Sequence, residues 1–253
     1  MVVEVMGANT RTRAGGRRAE EIRPLRFRRR YTRQALGSVL VRLGKTTVLC
    51  TCCIEPEVPR FLVGSGRGWI TAEYGMLPGS TGTRKARDRA GKVDGRSVEI
   101  QRLIGRSLRA VVSLENLGER TLWVDCDVLE ADGGTRTAAI DGGYIALVDA
   151  LVAHKNVIGP PSGIIRDSVA AISVGLCGDA ELLDLDYQED KDADVDLNLV
   201  MTGSGHFIEL QAAGEEATFS RTQLDRMLKL GKLGIDAVTS AQRRALGPNW
   251  PLD

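Results

Sequence analysis

A strand followed at once by a glycine turn and an apolar helix most limits how this chain can fold. Residues 122–129 are strand-like, Asp132-Gly133-Gly134 interrupts them, and an alanine-rich helical pattern begins after Thr135-Arg136. Two residues without a Cβ let the backbone turn sharply and approach a ligand closely. The N–H groups at a helix start have no partner within the helix and attract an anion.

The same helix start carries side chains that suit a phosphate group. Thr135 offers a hydroxyl donor, and Arg136 offers a planar guanidinium with a permanent charge. We therefore predict a phosphate-binding turn built from Gly134, Thr135 and Arg136, distinct from the Walker A and dinucleotide patterns. An ordinary capped strand-to-helix turn without a ligand is the alternative.

The remaining patterns predict an α+β fold. A hairpin should turn at Gly44-Lys45, and a helix with one apolar stripe should begin near residue 95, capped by Asp94 or Ser97. Further strands are expected at 169–176, 182–185, 195–201 and 207–210, and helices at 136–154 and 221–246. We expect two similar halves, each containing a βαβ unit, with mixed sheets packed against helices.

Glycine and proline mark the expected boundaries. The stretch Gly159-Pro-Pro-Ser-Gly163 breaks the helical pattern and predicts the junction between the halves, within one domain over 17–253. Residues 1–16 should form an N-terminal extension, whose order the sequence leaves open. No apolar stretch follows the early arginines, so no secretory signal is expected.

Cysteine usage favours the cytoplasm. The chain has five cysteines, an odd number, and three of them cluster at Cys50-Thr-Cys-Cys53. Only two histidines and no second cysteine pair are present to complete a zinc site, so we interpret these thiols as core residues.

The net charge of +1 hides a strong asymmetry. Ten arginines lie between residues 11 and 33, nine basic residues between 84 and 109, and nine acids between 179 and 196. Two basic tracts and one acidic tract beside a phosphate turn predict binding of a polyanion near metal-binding carboxylates. Solvated charged faces are the simpler alternative.

Two aspartates are candidates for the carboxylate site. Asp190 ends an acidic segment, and Asp196 alternates with apolar residues along 195–201, so it should point away from the core. Such a pair can hold Mg²⁺ or Mn²⁺, and one member can protonate a leaving oxygen. A solvated acidic turn remains the alternative.

Six long motifs follow one another along the chain. They are Gly37-Ser-Val-Leu-Val, Thr47-Val-Leu-Cys-Thr, Gly68-Trp-Ile-Thr-Ala-Glu-Tyr-Gly-Met-Leu-Pro78, Glu99-Ile-Gln-Arg-Leu-Ile-Gly-Arg-Ser-Leu-Arg109, Asp125-Cys-Asp-Val-Leu-Glu-Ala-Asp-Gly-Gly-Thr-Arg-Thr-Ala138 and Asp194-Val-Asp-Leu-Asn-Leu-Val-Met-Thr202. Together they resemble the ribonuclease PH family, over roughly residues 17–246. The resemblance implies a ribonuclease PH-type domain, a phosphorolytic 3′→5′ exoribonuclease that trims tRNA precursors and other RNA 3′ ends, and a homohexamer arranged as a trimer of dimers.

The resemblance also implies roles for individual residues. Inorganic phosphate, the co-substrate, would contact Arg96 together with Gly134, Thr135 and Arg136. The catalytic and metal-binding pair would be Asp190 and Asp196, with Mg²⁺ or Mn²⁺ as cofactor. The loop Thr83-Arg-Lys-Ala-Arg87 would bind RNA through Arg84 and Arg87, and we expect the arginines of 23–33 to add backbone contacts.

Three other functions compete with this one. The chain could be a ring subunit active only beside a different partner, a non-catalytic RNA-binding module, or a hydrolytic nuclease. The complete carboxylate pair and phosphate turn argue against a degenerate ring subunit, and an RNA-binding module would leave both without a role. A hydrolase needs a group that activates water and does not need an arginine-lined phosphate pocket.

Overall fold

Two β-sheets and a central helix form the core of this computed structural model, which describes residues 13–87, 94–214 and 217–252. The strands are β1 Leu25–Arg29, β2 Gly37–Leu43, β3 Thr46–Glu55, β4 Trp69–Met76, β5 Thr121–Glu130, β6 Val169–Cys177, β7 Ala180–Leu183, β8 Val195–Thr202 and β9 Phe207–Gly214. The α-helices are α1 Gly95–Ala110, α2 Leu114–Leu117, α3 Thr135–Ala153, α4 Lys155–Ile158, α5 Tyr187–Asp192 and α6 Arg221–Leu246.

The two sheets differ in topology. The first has the order β1-β2-β3-β5-β4, and its β4 and β5 are parallel neighbours connected through α1. The second has the order β7-β6-β8-β9 with antiparallel neighbours, so β7 and β8 run parallel on either side of β6 and are connected through α5. The expected α+β class is correct, but the halves are not copies of each other strand for strand.

Helix α3 is buried between the sheets. It is apolar on nearly every side, which is the pattern of a helix enclosed by protein. It lies very close to the first sheet at Gly142, where a Cβ would come within 2.2 Å of Val41 Cγ2. The first residues of α3, which we predicted to bind phosphate, are therefore held by a rigid element.

Two amphipathic helices cover the outer surfaces. Helix α1 packs on β4 and α3, and the Asp94 carboxylate caps its first turn, as one of our two predicted caps. Helix α6 packs on β6, β7, β8 and β1, and Ser220 and Gln223 form a capping box at its start. The long α6 therefore covers the second sheet and also reaches the edge strand of the first.

Most predicted elements are confirmed, but several differ, among them β9, which runs to Gly214 where the prediction ended at residue 210. The second strand of the β6–β7 hairpin is 180–183, two residues earlier than predicted, because Asp184 adopts a left-handed conformation with φ +55° and ends the strand. The short helix α5 was not predicted within the acidic segment. Strand β1 is not predicted from the sequence, in which it is part of the arginine tract. Its alternating residues Arg26 and Arg28 face solvent, but the arginines around them obscure the two-residue period of a strand.

The end of the proposed N-terminal extension packs against the domain. Residues 1–12 lie outside the described residues, but Arg13 is buried and its guanidinium donates to Glu189 of α5. The folded domain therefore begins at least four residues before the boundary that we predicted at residue 17.

Candidate active site

The predicted phosphate turn lies where β5 leads into α3. Gly133 and Gly134 both adopt left-handed φ values, +77° and +66°, and Gly134 is the residue before the first helical turn. A Cβ at Gly133 would lie 2.6 Å from Leu185 O and 2.9 Å from Tyr187 N. The glycine therefore allows the chain that leads into α5 to pack directly on the turn.

Tyr74 on β4 orients the threonine of this turn. Its buried side chain donates from its hydroxyl to Thr135 Oγ1 over 2.8 Å. Because Thr135 accepts this bond, its own hydroxyl proton remains available to an incoming anion. Burial raises the pKa of Tyr74, which keeps it a neutral donor. Sequence reasoning missed this role, although a buried tyrosine generally needs a partner for its hydroxyl.

Two arginines face the same space from different elements. Arg136 on α3 donates to Gln211 Oε1 over 3.1 Å and lies 3.7 Å from the Glu99 carboxylate. Arg96 lies in the first turn of α1, where the positive end of the helix dipole adds to its charge, and its backbone N–H donates to the capping Asp94 carboxylate. The site therefore has two permanent positive charges, each carried by an arginine in the first turn of a different helix.

The two predicted carboxylates line the same cavity as these arginines. Asp196 points off β8 and accepts a hydrogen bond from Asn198 Nδ2 at 3.3 Å, and Asp190 lies on α5. Partial desolvation raises the pKa of Asp190, the Asp196 charge raises it further, and Arg96 and Arg136 oppose that rise. Asp190 is exposed to solvent and lines the cavity, yet its pKa lies above the ordinary value of an aspartate.

Helix α5 is held by the N-terminal segment. Arg13 donates from Nε and Nη2 to the two oxygens of Glu189, each over 2.8 Å, and Arg17 Nη2 donates to Glu189 Oε2 over 3.1 Å. Arg13 also donates to the backbone oxygens of Leu183 and Asp184. Since Glu189 directly precedes Asp190, these bonds set the position of the acid.

Arg23 joins the second half of the chain to the phosphate turn. Its side chain makes hydrogen bonds to both oxygens of Asp184, at 2.9 and 2.6 Å, and to the backbone oxygens of Asp132 and Gly133. Our expectation that all arginines of 23–33 contact RNA is therefore wrong for Arg23, which is 5% exposed. It is also wrong for Arg29, which pairs with Asp149 beneath the first sheet.

One open cavity of about 840 Å³ brings the predicted residues together. Its lining includes Arg96, Gly134, Thr135, Arg136, Asp190 and Asp196, which are all the phosphate and carboxylate residues that we predicted. Arg84 and Arg87 are exposed but do not line this cavity, whereas their neighbours Thr83 and Lys85 do. Lys85 also pairs with Asp94 at 3.1 Å, which ties this loop to the start of α1.

Comparisons with known proteins agree with this geometry. Residues 21–153 match domain 1 of the 3′ exoribonuclease family, and residues 167–234 match its domain 2. The chain belongs to the 3′ exoribonuclease family. It is 58% identical over 232 residues to ribonuclease PH of Rhodopirellula baltica, a match that covers 90% of this chain and 94% of that one.

Solved structures of the same fold are more distant in sequence. Rice (Oryza sativa) Rrp46 superposes with a TM-score of 0.75 at 21% identity, over 92% of this chain and all of that one. An Archaeoglobus fulgidus exosome structure with RNA bound to the active site gives a TM-score of 0.74 at 22% identity, over 93% and 92%. These two matches show the shared fold and, with the family assignment, confirm our predicted fold class. The family assignment and the ribonuclease PH relative confirm a phosphate-dependent 3′ exoribonuclease activity.

The carboxylates of this 3′ exoribonuclease fit a hard divalent cation. Mg²⁺ is commonly held by one or two carboxylates together with waters and substrate phosphates, and the oxygens of Asp190 and Asp196 provide that donor set. In the described segments no cluster of three or more His, Cys, Asp or Glu side chains could hold a metal, so protein ligands alone do not form a closed cage. Nor does any described helix have the length and apolar character needed to span a membrane.

Proposed function

We propose that this enzyme shortens tRNA precursors and other RNA 3′ ends by phosphorolysis, with inorganic phosphate held by Arg96, Thr135 and Arg136. The observation that carries the proposal is the single cavity shared by two arginines, a left-handed glycine turn and an aspartate pair. Its volume of about 840 Å³ suits a nucleotide together with a phosphate ion.

The positive groups would bind the attacking phosphate and orient it. Thr135 and the N–H groups at the start of α3 would donate to phosphate oxygens, and the guanidinium groups would offset the charge that gathers during phosphoryl transfer. Inorganic phosphate is itself a nucleophile near neutral pH, so the reaction needs no serine or cysteine nucleophile.

The acid would complete the reaction at the other side of the phosphorus. A phosphate oxygen forms a bond to the phosphorus of the last linkage, the bond from that phosphorus to the 3′ oxygen breaks, and Asp190 gives its proton to that oxygen. The products are a nucleoside diphosphate and RNA shortened by one nucleotide. The raised pKa of Asp190 supports its role as a proton donor.

We further propose that Mg²⁺ or Mn²⁺ binds at the Asp190 and Asp196 pair, held mainly by the Asp196 carboxylate, so that Asp190 can keep its role as the proton donor. Such an ion would stabilise negative charge on the phosphate oxygens when bound. We also propose that the enzyme forms a homohexamer, with the exposed apolar residues Phe61 and Val63 as candidate subunit contacts. We propose a cytoplasmic location as well, which the five free cysteines support.

The deciding experiment follows the nucleotide released from a 3′-extended tRNA with Mg²⁺, with and without inorganic phosphate. Nucleoside diphosphates that appear only with phosphate support the proposal, and monophosphates without phosphate would show a hydrolase instead. Arg136→Ala should raise the phosphate concentration for half-maximal rate roughly 10- to 100-fold, the loss expected for one charge-assisted contact. Arg221→Ala, on the exposed start of α6, is the matched control and should leave that value unchanged.

A further inference from the structure

The solvent face of the first sheet carries a basic surface at its β1–β2 edge. Arg26 and Arg28 alternate outwards from β1, and Arg42 of β2 lies directly opposite Arg26 in the antiparallel register. All three side chains are exposed. Like charges placed directly opposite each other across two strands destabilise a sheet, so the isolated fold gains nothing from this pairing.

These charges have no acidic partner in the described parts of the chain. Within 13–87, 94–214 and 217–252, no ion pair involves Arg26, Arg28 or Arg42. By contrast, Arg23 and Arg29 of the same tract are paired with Asp184 and Asp149. The tract is thus divided between arginines that hold the fold together and arginines whose charge is uncompensated.

An aromatic ring accompanies the uncompensated arginines. Tyr31 is 41% exposed, and the Arg28 guanidinium carbon lies 5.3 Å from the centroid of its ring. An exposed aromatic side chain beside cations that follow a line is the usual composition of a surface for single-stranded nucleic acid. Arg26 and Arg28 are about 7 Å apart along the strand, which suits successive phosphates of an extended chain.

The basic surface is connected to the phosphate turn through the β2–β3 hairpin. Two residues after Arg42 the chain turns at Gly44, and the Thr46 hydroxyl then donates to Gly133 O over 2.7 Å. The same hydroxyl accepts from Asp132 N at 2.8 Å. One end of the surface is therefore only a few residues along β2 from contacts that shape the active site.

We propose that Arg26, Arg28, Arg42 and Tyr31 form a second RNA-binding surface, which holds a single-stranded part of the substrate upstream of the 3′ end in the cavity. This inference rests on the proposed function, because it requires an RNA substrate. It predicts that affinity depends on RNA length and that the length-dependent part of binding is sensitive to salt.

The test compares Arg26→Gln/Arg42→Gln with the charge-matched control Lys155→Gln/Lys229→Gln, whose lysines are exposed elsewhere on the molecule. Fluorescence anisotropy without phosphate keeps the RNA intact, using single-stranded RNAs of about 6 and about 24 nucleotides. For the longer RNA, Arg26→Gln/Arg42→Gln should lose about tenfold in affinity at 0.15 M salt, and its slope of log K against log salt should fall by about 1.4.

The shorter RNA and the control variant distinguish the outcomes. The shorter RNA should lose less than about twofold in affinity, because it is held by the cavity alone. Unchanged binding of the longer RNA, an equal loss for both lengths, or binding of anionic phospholipid vesicles in place of RNA would overturn the inference. Release of nucleoside diphosphates from the shorter RNA by the unmodified enzyme tests the proposed function separately.

Discussion

Gly133→Ala should damage both the stability and the catalysis of this enzyme. The left-handed φ of +77° costs a residue with a Cβ roughly 1–2 kcal/mol. The new Cβ would also lie 2.6 Å from Leu185 O, a backbone atom that cannot rotate away, and such overpacking costs typically about 1–3 kcal/mol. The free energy of unfolding should therefore fall by about 2–5 kcal/mol.

The clash acts at the contact between the phosphate turn and the segment that leads into α5. Relieving it must shift the phosphate turn relative to α5, which carries Asp190, and a displacement approaching 1 Å can lower turnover roughly 100-fold. Urea denaturation measures the first effect, and the initial rate of nucleoside diphosphate release at saturating phosphate measures the second.

Gly159→Ala is the matched control for this prediction. Gly159 has φ +88° and ψ 177°, a conformation nearly restricted to glycine, but a Cβ there meets no atom within 4 Å, so only a backbone cost of roughly 1–3 kcal/mol should appear, with turnover unchanged. The reasoning would be refuted if Gly133→Ala matched the control in stability and retained wild-type turnover.

Three further substitutions or treatments test other contacts. Arg23→Met should lower the free energy of unfolding by roughly 3 kcal/mol, because the fully buried Asp184 carboxylate loses the guanidinium bound to both of its oxygens and keeps, among the described residues, only Arg17, 3.6 Å away, as a charged partner. A loss below about 1 kcal/mol in urea denaturation would contradict this. Asp190→Asn should stabilise the protein at pH 7 and lose this advantage near pH 4. The pKa of Asp190 is raised in the folded state above the ordinary value of 3.8, so its ionisation lowers the free energy of unfolding as the pH rises. Equal gains at both pH values in urea denaturation would show that charge is not the cause. A thiol reagent should label only Cys53 in the native protein, because the other four cysteines are buried, and all five cysteines in urea. Rapid labelling of a second thiol in the native protein would show that the core is less closed than described.

The placement of the proposed phosphate-binding residues could be predicted because they are close together in the sequence. Gly134, Thr135 and Arg136 are consecutive, and the change from strand to helix places them at a helix start whatever the rest of the fold does. The outward direction of Asp196 likewise follows from the alternation of a single strand. Local periodicity was sufficient for these residues.

The supporting contacts could not be predicted in this way. Arg13 and Glu189 are separated by 176 residues and Arg23 and Asp184 by 161, so no local pattern connects them. The arginine tract also looked uniform, although alternate residues of β1 face opposite sides of the sheet and have opposite roles. Only the tertiary packing separates structural arginines from surface arginines.

The N-terminal arginine contacts have a consequence for the order in which this protein matures. A ribosome releases Arg13, Arg17 and Arg23 first, but their partners Asp184 and Glu189 emerge more than 150 residues later. Until then the arginine side chains lack the carboxylates that neutralise them, and the turn at Gly133 lacks the backbone against which it packs. Nascent chains that contain only the first half therefore hold the phosphate-binding residues without a competent site, and catalysis begins only when the chain is nearly complete.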